Sequence, residues 1–139
     1  ACFLIDPSIV KNRVFDENIF LFYEDNELSD RMINLGYKLL VCPDCIVFHE
    51  GENSTTKTLK IEKLRNWHLG WSQAYYISKS KNKSAFFVIL NLIKKIKTLL
   101  IFVLFLNFKR SFPLYFRIRG IVSFLKGVDC HSIKDKGPF

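Results

Sequence analysis

The first part of the chain alternates short apolar runs with polar turns. Apolar runs of four to six residues occupy positions 1–6, 37–41 and 46–49, and turn-forming residues bound each of them. Runs of this length between turn residues are typical of buried strands. The pattern therefore predicts three short strands in this part of the chain.

A helical pattern lies between the first two of these strands. Leu28, Met32 and Leu35 recur at intervals of four and three residues, which places them on one face of a helix. Acidic residues fill the first turn, and Gly36 follows where a helix C-terminus favours glycine. The spacing predicts a helix over residues 26–35.

Helical and apolar patterns dominate the second part of the chain. Residues 57–80 have the periodicity of a long helix, two apolar runs follow at 85–93 and 98–108, and residues 112–126 continue the pattern. Three lysines lie between the two runs, and each would cost about 2.5–3.5 kcal/mol at the centre of a bilayer. We therefore expect two amphipathic helices that lie on a membrane, although the pattern alone leaves a spanning arrangement of residues 85–108 open.

The two parts of the chain also differ in the sign of their net charge. The net charge of +8 combines −6 over residues 1–56 with +14 over residues 57–139. A basic, apolar region suits an anionic surface, either a nucleic acid or a membrane. The long apolar runs favour an anionic membrane surface, and no nucleic-acid-binding motif accompanies the charge, so we expect no nucleic-acid partner.

The four cysteines are too few and too irregularly spaced for a disulfide framework. Cys42 and Cys45 form a Cys-x-x-Cys pair, which together with Cys130 and His131 could in principle bind zinc. Alternatively, the pair flanks a Pro-Asp turn in a reducing compartment and binds no metal. A single Cys-x-x-Cys is a weak signal, so the second interpretation is favoured.

Candidate chemistry concentrates at an acidic pair and one histidine. Glu24 and Asp25 follow an aromatic run and precede the predicted helix, so that one carboxylate could act as a general base. His49 ends a predicted strand and could bind a divalent cation. Charge and spacing alone favour the alternatives, namely an acidic first turn of a surface helix and a hydrogen-bonded histidine.

The stretch FDENIFLFYEDNEL at residues 15–28 resembles the FDE-x-F-F-x-Y-x-ED-x-D/E-L stretch of family 2 glycosyltransferases, most closely that of bacterial rhamnosyltransferase-like members. The resemblance continues in order through Arg31, a Gly-Tyr pair at 36–37, a Pro-x-x-x-Val-x-His pattern at 43–49 and a Gly-x-x-Ser pattern at 51–54. It covers about 55 residues.

The resemblance implies an α/β fold class, namely the C-terminal part of the Rossmann-like GT-A fold. It implies an inverting transfer of a sugar from a nucleotide-sugar donor to a saccharide or lipid-linked acceptor. Asp25 would deprotonate the acceptor hydroxyl, and Glu24 would orient either the acceptor or the base. Glu27 and Arg31 would contact the acceptor, and His49 would bind the Mg²⁺ or Mn²⁺ that neutralises the leaving diphosphate.

These inferences divide the chain into three regions. Residues 1–56 would be the C-terminal part of the GT-A catalytic domain, residues 57–128 a basic, amphipathic, helical membrane-associating region, and residues 129–139 a flexible tail. We expect a cytoplasmic protein that lies peripherally on the inner face of the cell membrane and takes part in surface polysaccharide synthesis.

The Asp-x-Asp motif with which this family binds its donor has no match in the chain. We therefore expect that the donor-binding half is missing and that residues 1–139 alone do not turn over a nucleotide sugar. The alternative is a non-catalytic, truncated module that associates with membranes.

Overall fold

The computed structural model describes residues 4–10, 13–48, 58–80 and 84–133. Over these residues the chain forms five α-helices and a short 3-10 helix. In chain order they are α1 (Pro7–Val10), α2 (Glu24–Asn34), α3 (Leu59–Lys79), α4 (Ala85–Leu104), α5 (Phe108–Leu125) and the 3-10 helix Cys130–Ile133.

The predicted α/β class is wrong. The described residues contain no strand, and so they do not form the sheet of a Rossmann-like GT-A fold. Residues 37–48 are irregular apart from one turn, and Val41 and Phe48 are 91% and 94% exposed. A strand needs a neighbour that pairs with its backbone N–H and C=O groups. No such neighbour lies beside the predicted strands in the described part of the chain, so their apolar side chains do not suffice to form a sheet.

Helix α2 confirms the helix predicted over residues 26–35 and begins two residues earlier, at Glu24. Its end is a Schellman motif, in which Gly36 adopts a φ of 90°. The backbone N–H groups of Gly36 and Tyr37 donate to the carbonyls of Ile33 and Met32, both at 3.0 Å. These bonds satisfy carbonyls that the last helical turn would otherwise leave unpaired.

Helices α3 and α5 cross with their backbones in contact. A Cβ atom at Gly70 would lie 2.0 Å from the carbonyl oxygen of Arg117, and a Cβ at Gly120 would lie 2.0 Å from the carbonyl oxygen of Trp67. Both positions therefore require glycine, because any other residue would place a Cβ atom closer to a backbone oxygen than real Cβ atoms come. This glycine crossing fixes the separation of α3 and α5.

The core surrounds this crossing. One cluster joins α3 to the C-terminal segment and consists of Trp67, Trp71 and Cys130. A second cluster joins α3, α4 and α5 and consists of Ala74, Val88 and Ile121. A third, smaller cluster joins α1 to α2 and consists of Val10, Leu28 and Met32.

Helix α4 runs without interruption through the lysines at 94–97, where the pattern predicts a boundary between two helices. Lysine is a good helix former, so three lysines do not end a helix. Val88 is the one buried residue of α4 among those described. The exposed apolar face of α4 consists of Phe86, Phe87, Ile89, Ile93, Ile96, Leu100, Ile101, Val103 and Leu104.

Within the described ranges, every helix falls short of the length or the apolar character that crossing a bilayer requires. The start of the segment predicted as a flexible tail is ordered, because Cys130–Ile133 form the 3-10 helix and Cys130 is fully buried. Residues 134–139 lie outside the described residues.

Candidate functional site

The candidate site begins at a strained turn in front of α2. Phe22 and Tyr23 have φ values of 68° and 66°, so two consecutive aromatic residues adopt the left-handed conformation. This conformation is unusual for bulky residues and costs on the order of 1–3 kcal/mol each. Such strain persists only where surrounding contacts hold it, and it occurs preferentially at functional sites.

Helix α3 supplies the contacts that hold the strained turn. The Ser72 hydroxyl donates to the carbonyl of Leu21 at 2.7 Å. The ring of Tyr23 lies 5.3 Å from that of Tyr76, and the Tyr76 hydroxyl donates to a carboxylate oxygen of Asp30 at 2.5 Å. Helix α3 thus holds the turn on both sides. Ser72 binds the backbone before the turn, and Tyr76 binds Asp30 of helix α2 after it.

A second anchor lies just upstream of the turn. The Asp16 carboxylate accepts hydrogen bonds from Tyr75 at 2.8 Å and from Lys79 at 2.6 Å. Burial by itself would raise the pKa of Asp16, but the hydrogen bonds from Lys79, Asn18 and Tyr75 outweigh it and hold the pKa well below its usual range. The carboxylate is therefore ionised at neutral pH and ties residues 16–18 to α3.

The strained turn opens onto a pocket of about 420 Å³. The residues that line it are Phe22, Tyr23, Glu24, Asp25, Asn26 and Leu69. Both carboxylates that the sequence singles out, Glu24 and Asp25, therefore lie at the same pocket, next to two aromatic side chains. The signal that located them is the acidic pair directly after an aromatic run.

The two carboxylates differ in their surroundings. One Asp25 oxygen accepts the backbone N–H of Asn26 at 2.9 Å. Oε2 of Glu24 is buried and has no hydrogen-bond partner among the described residues. A buried oxygen without a donor is unfavourable by about 1–3 kcal/mol or more. Glu24 therefore lines the pocket while one of its carboxylate oxygens is enclosed by protein.

The arrangement suits a sugar. Aromatic rings stack against the apolar faces of pyranose rings, and carboxylates accept hydrogen bonds from their hydroxyls. A carboxylate within reach of a bound hydroxyl can also remove its proton when the oxygen attacks. The pocket thus contains the groups needed to bind and activate an alcohol.

Glu27 and Arg31, predicted to contact an acceptor, are not among the residues that line the pocket. They form an ion pair one helical turn apart, with Nε of Arg31 3.2 Å from a Glu27 carboxylate oxygen. The Arg31 guanidinium also donates to the carbonyl of Val14 at 2.5 Å. The pair therefore fastens α2 to the preceding segment in this structure.

His49, predicted to bind Mg²⁺ or Mn²⁺, lies outside the described residues. Among the residues that are described, the side chains placed close enough to share a metal ion are those of Asp129, Cys130 and His131. Mg²⁺ and Mn²⁺ prefer oxygen ligands, and a thiol in the set disfavours both. This cluster does not fit the cation that the resemblance implies.

His68 is a buried histidine on α3. It is 0% exposed, and its ring lies 4.9 Å from that of Phe20 and 5.0 Å from that of Trp67. Neither ring nitrogen has a hydrogen-bond partner among the described residues. Burial, together with the charge of His131, lowers the pKa of His68 to about 4. The ring is therefore neutral at pH 7.

Comparison of the chain with protein-family models, with curated proteins and with solved structures finds no match in any of the three. A function for the chain therefore has to be argued from the chemistry of the pocket and from the motifs around it.

Proposed function

We propose that this chain is part of an inverting glycosyltransferase, which moves a sugar from a nucleotide-sugar donor to a saccharide or lipid-linked acceptor. In this proposal the pocket beside α2 binds the acceptor. The observation that carries the proposal is the placement of Glu24 and Asp25 at a pocket walled by Phe22 and Tyr23. The resemblance of residues 15–28 to family 2 glycosyltransferases supports the same interpretation.

Asp25 acts as the general base. The acceptor oxygen attacks the anomeric carbon of the donor, and its proton passes to the Asp25 carboxylate. The bond between that carbon and the nucleotide diphosphate breaks on the opposite face, so the configuration is inverted. Glu24, which lines the same pocket, positions the acceptor, and the aromatic rings hold the sugar plane.

A bound divalent cation, Mg²⁺ or Mn²⁺, would stabilise the charge on the leaving diphosphate. The resemblance gives this ligand role to His49, and no step assigned to Glu24 or Asp25 depends on it. The nucleotide-sugar itself is expected to contact residues other than those of the acceptor pocket.

The test is transfer of a labelled sugar to lipid-linked saccharides, measured in membranes of a host that carries these residues within a protein that also contains the donor-binding part. Asp25→Asn should lower the rate by about 100-fold or more, because a positioned base contributes 10²–10⁴-fold. Asp44→Asn is the matched control, since Asp44 is exposed and lies outside the pocket. Transfer that persists in the Asp25→Asn protein would contradict the proposal.

We also propose that the protein lies on the cytoplasmic face of the cell membrane, with α4 against anionic lipid. The exposed apolar face of α4 supports this proposal, as does the excess of Lys and Arg after residue 56. Apolar side chains enter the boundary between head groups and acyl chains, while lysines reach the phosphates.

The second candidate function is a non-catalytic membrane-associated module. The observation that favours it is that the exposed apolar face belongs to α4 and is separate from the residues that line the pocket. The two functions differ in one outcome. A module binds membranes and shows no transfer that depends on Asp25, whereas an enzyme loses transfer in Asp25→Asn and keeps its membrane binding.

A further inference from the structure

A mixed set of metal-binding groups lies at the C-terminal 3-10 helix. A carboxylate oxygen of Asp129, Sγ of Cys130 and a ring nitrogen of His131 all lie within 4.8 Å of one another. Asp129 is exposed, His131 is partly buried and Cys130 is fully buried. One face of the set is therefore enclosed by protein and the other faces solvent.

The surroundings of this set are packed and hydrogen-bonded. Cys130 belongs to the core cluster with Trp67 and Trp71. The indole N–H of Trp71 donates to the carbonyl of Val128 at 2.8 Å, which fixes the chain directly before Asp129. Backbone N–H of His131 donates to a carboxylate oxygen of Asp129 at 2.8 Å, which orients that side chain.

A backbone carbonyl orients the imidazole as well. Nε2 of His131 lies 2.7 Å from the carbonyl oxygen of Glu17. In the neutral ring with the proton on Nε2, this nitrogen donates a hydrogen bond to the carbonyl. The other ring nitrogen, Nδ1, then carries a lone pair that can bind a metal. Imidazoles that bind metals are typically oriented by a carbonyl or carboxylate in this way. Hydrogen bonds and packing therefore hold these three side chains in place, beyond their being adjacent in the sequence.

We propose that Asp129, Cys130 and His131 bind a zinc ion. The combination of sulfur, nitrogen and oxygen ligands suits Zn²⁺ better than Mg²⁺, Ca²⁺ or Mn²⁺. Three protein ligands leave a fourth tetrahedral position, which water takes on the exposed side, next to Asp129. The site shares no residue with the pocket at α2, and the zinc proposal does not rest on the glycosyltransferase proposal.

Zinc binding changes one hydrogen bond and strengthens the attachment of two segments. Sγ of Cys130 lies 3.3 Å from the carbonyl oxygen of Asn18, and the thiol donates a hydrogen bond to this oxygen. Zinc binds the thiolate, so this proton is released to solvent when the metal binds. The ion then holds the 3-10 helix, and through the His131–Glu17 contact it also stabilises the segment that leads to the strained turn.

The test uses the complete chain with Cys2, Cys42 and Cys45 replaced by serine, so that Cys130 is the one remaining thiol. This background removes the exposed Cys-x-x-Cys pair, which could bind metal by itself. We expect one zinc per chain after dialysis. We also expect that Co²⁺, used as a probe, gives the near-ultraviolet charge-transfer absorption of a cobalt–thiolate bond.

Single substitutions in this background identify the other ligands. Asp129→Asn and His131→Gln should each weaken zinc binding by about tenfold or more. Asp44→Asn is the matched control, because Asp44 is an exposed aspartate outside the cluster and its substitution should leave the affinity unchanged. Circular dichroism confirms that each variant keeps its helices.

Absence of the cobalt–thiolate absorption in the background that keeps only Cys130 would overturn the proposal. Zinc affinity that is unchanged in both Asp129→Asn and His131→Gln would overturn it as well. Asp129 is exposed, so its substitution tests the site without disturbing the core.

Discussion

At the scale of single residues, His68 is a buried imidazole in an aromatic environment, and neither of its nitrogens has a partner among the described residues. Its pKa is lowered from 6.5 to about 4, first because burial disfavours the charged ring and then because of His131. The unfolded chain therefore binds a proton at His68 between pH 6.5 and pH 4, while the folded chain does not. Folding stability is lost as the pH falls through this window.

We predict that the free energy of unfolding falls by about 2 kcal/mol between pH 7 and pH 5 because of His68 alone. His68→Phe keeps a ring of similar size, contains no titrating group and leaves no partner unpaired. Urea unfolding of the two proteins at both pH values measures the effect. The variant should lose about 2 kcal/mol less than the wild type, and an equal loss in both proteins would count against this explanation.

At the scale of elements, local signals were sufficient for α2 and α3, but insufficient for the strands and for α4, which the pattern divides into two helices. Helix α2 follows from its apolar spacing, its acidic first turn and Gly36, all of which act within a few residues. Helix α3 follows from its periodicity in the same way. The apolar runs at 37–41 and 46–48 had to find pairing partners elsewhere in the chain, which no short-range pattern reveals.

The candidate site shows the same division. Glu24, Asp25 and the aromatic residues before them are contiguous, so the sequence could predict that they act together. Leu69 lines the same pocket, and Tyr76 supports it through Tyr23 and Asp30, but both lie on α3, more than 40 residues away in sequence. Their roles depend on the packing of α3 and leave no signal near residue 25.

The exposed face of α4 leads to a prediction about membranes. The chain should co-sediment with phosphatidylglycerol vesicles more strongly than with phosphatidylcholine vesicles. Replacing both Lys94 and Lys97 by glutamine should weaken binding by about thirtyfold, because each lysine near an anionic surface contributes about 1 kcal/mol. Raising the salt concentration should reduce the difference between the two lipids.

A matched pair of apolar substitutions tests whether α4 itself enters the membrane. Leu104→Ser should lower the affinity for phosphatidylglycerol vesicles, whereas Leu40→Ser should not. The two leucines are similarly exposed, at 78% and 87%, but only Leu104 lies on α4. Equal effects of the two substitutions would argue that binding is not specific to this face.

At the scale of the whole molecule, α3 is the element that connects the other parts. It holds the strained turn through Ser72 and Tyr76. It crosses α5 where Gly70 faces the backbone of Arg117 and Gly120 faces the backbone of Trp67. Helix α5 in turn packs on α4 through the cluster around Ile121. The pocket and the exposed face of α4 are thus both attached to the pair formed by α3 and α5.

We predict that Gly70→Ala and Gly120→Ala each lower the free energy of unfolding by about 1–3 kcal/mol or more, because each methyl group meets a backbone carbonyl oxygen. The loss opposes the small gain in helix propensity that alanine normally brings. Thermal unfolding followed by circular dichroism measures the effect. Thr98→Ala, an exposed substitution in α4, serves as the control and should change stability little.

The glycine crossing also determines how these two positions tolerate change. Any substitution at Gly70 or Gly120 introduces a Cβ, since every other amino acid has one, and the atom that blocks it belongs to the main chain of the facing helix. No single substitution elsewhere can remove a main-chain carbonyl, so a second mutation cannot easily compensate. In a saturation scan selected for folding, these two codons should therefore be nearly invariant, while the exposed positions of residues 37–48 should accept most replacements.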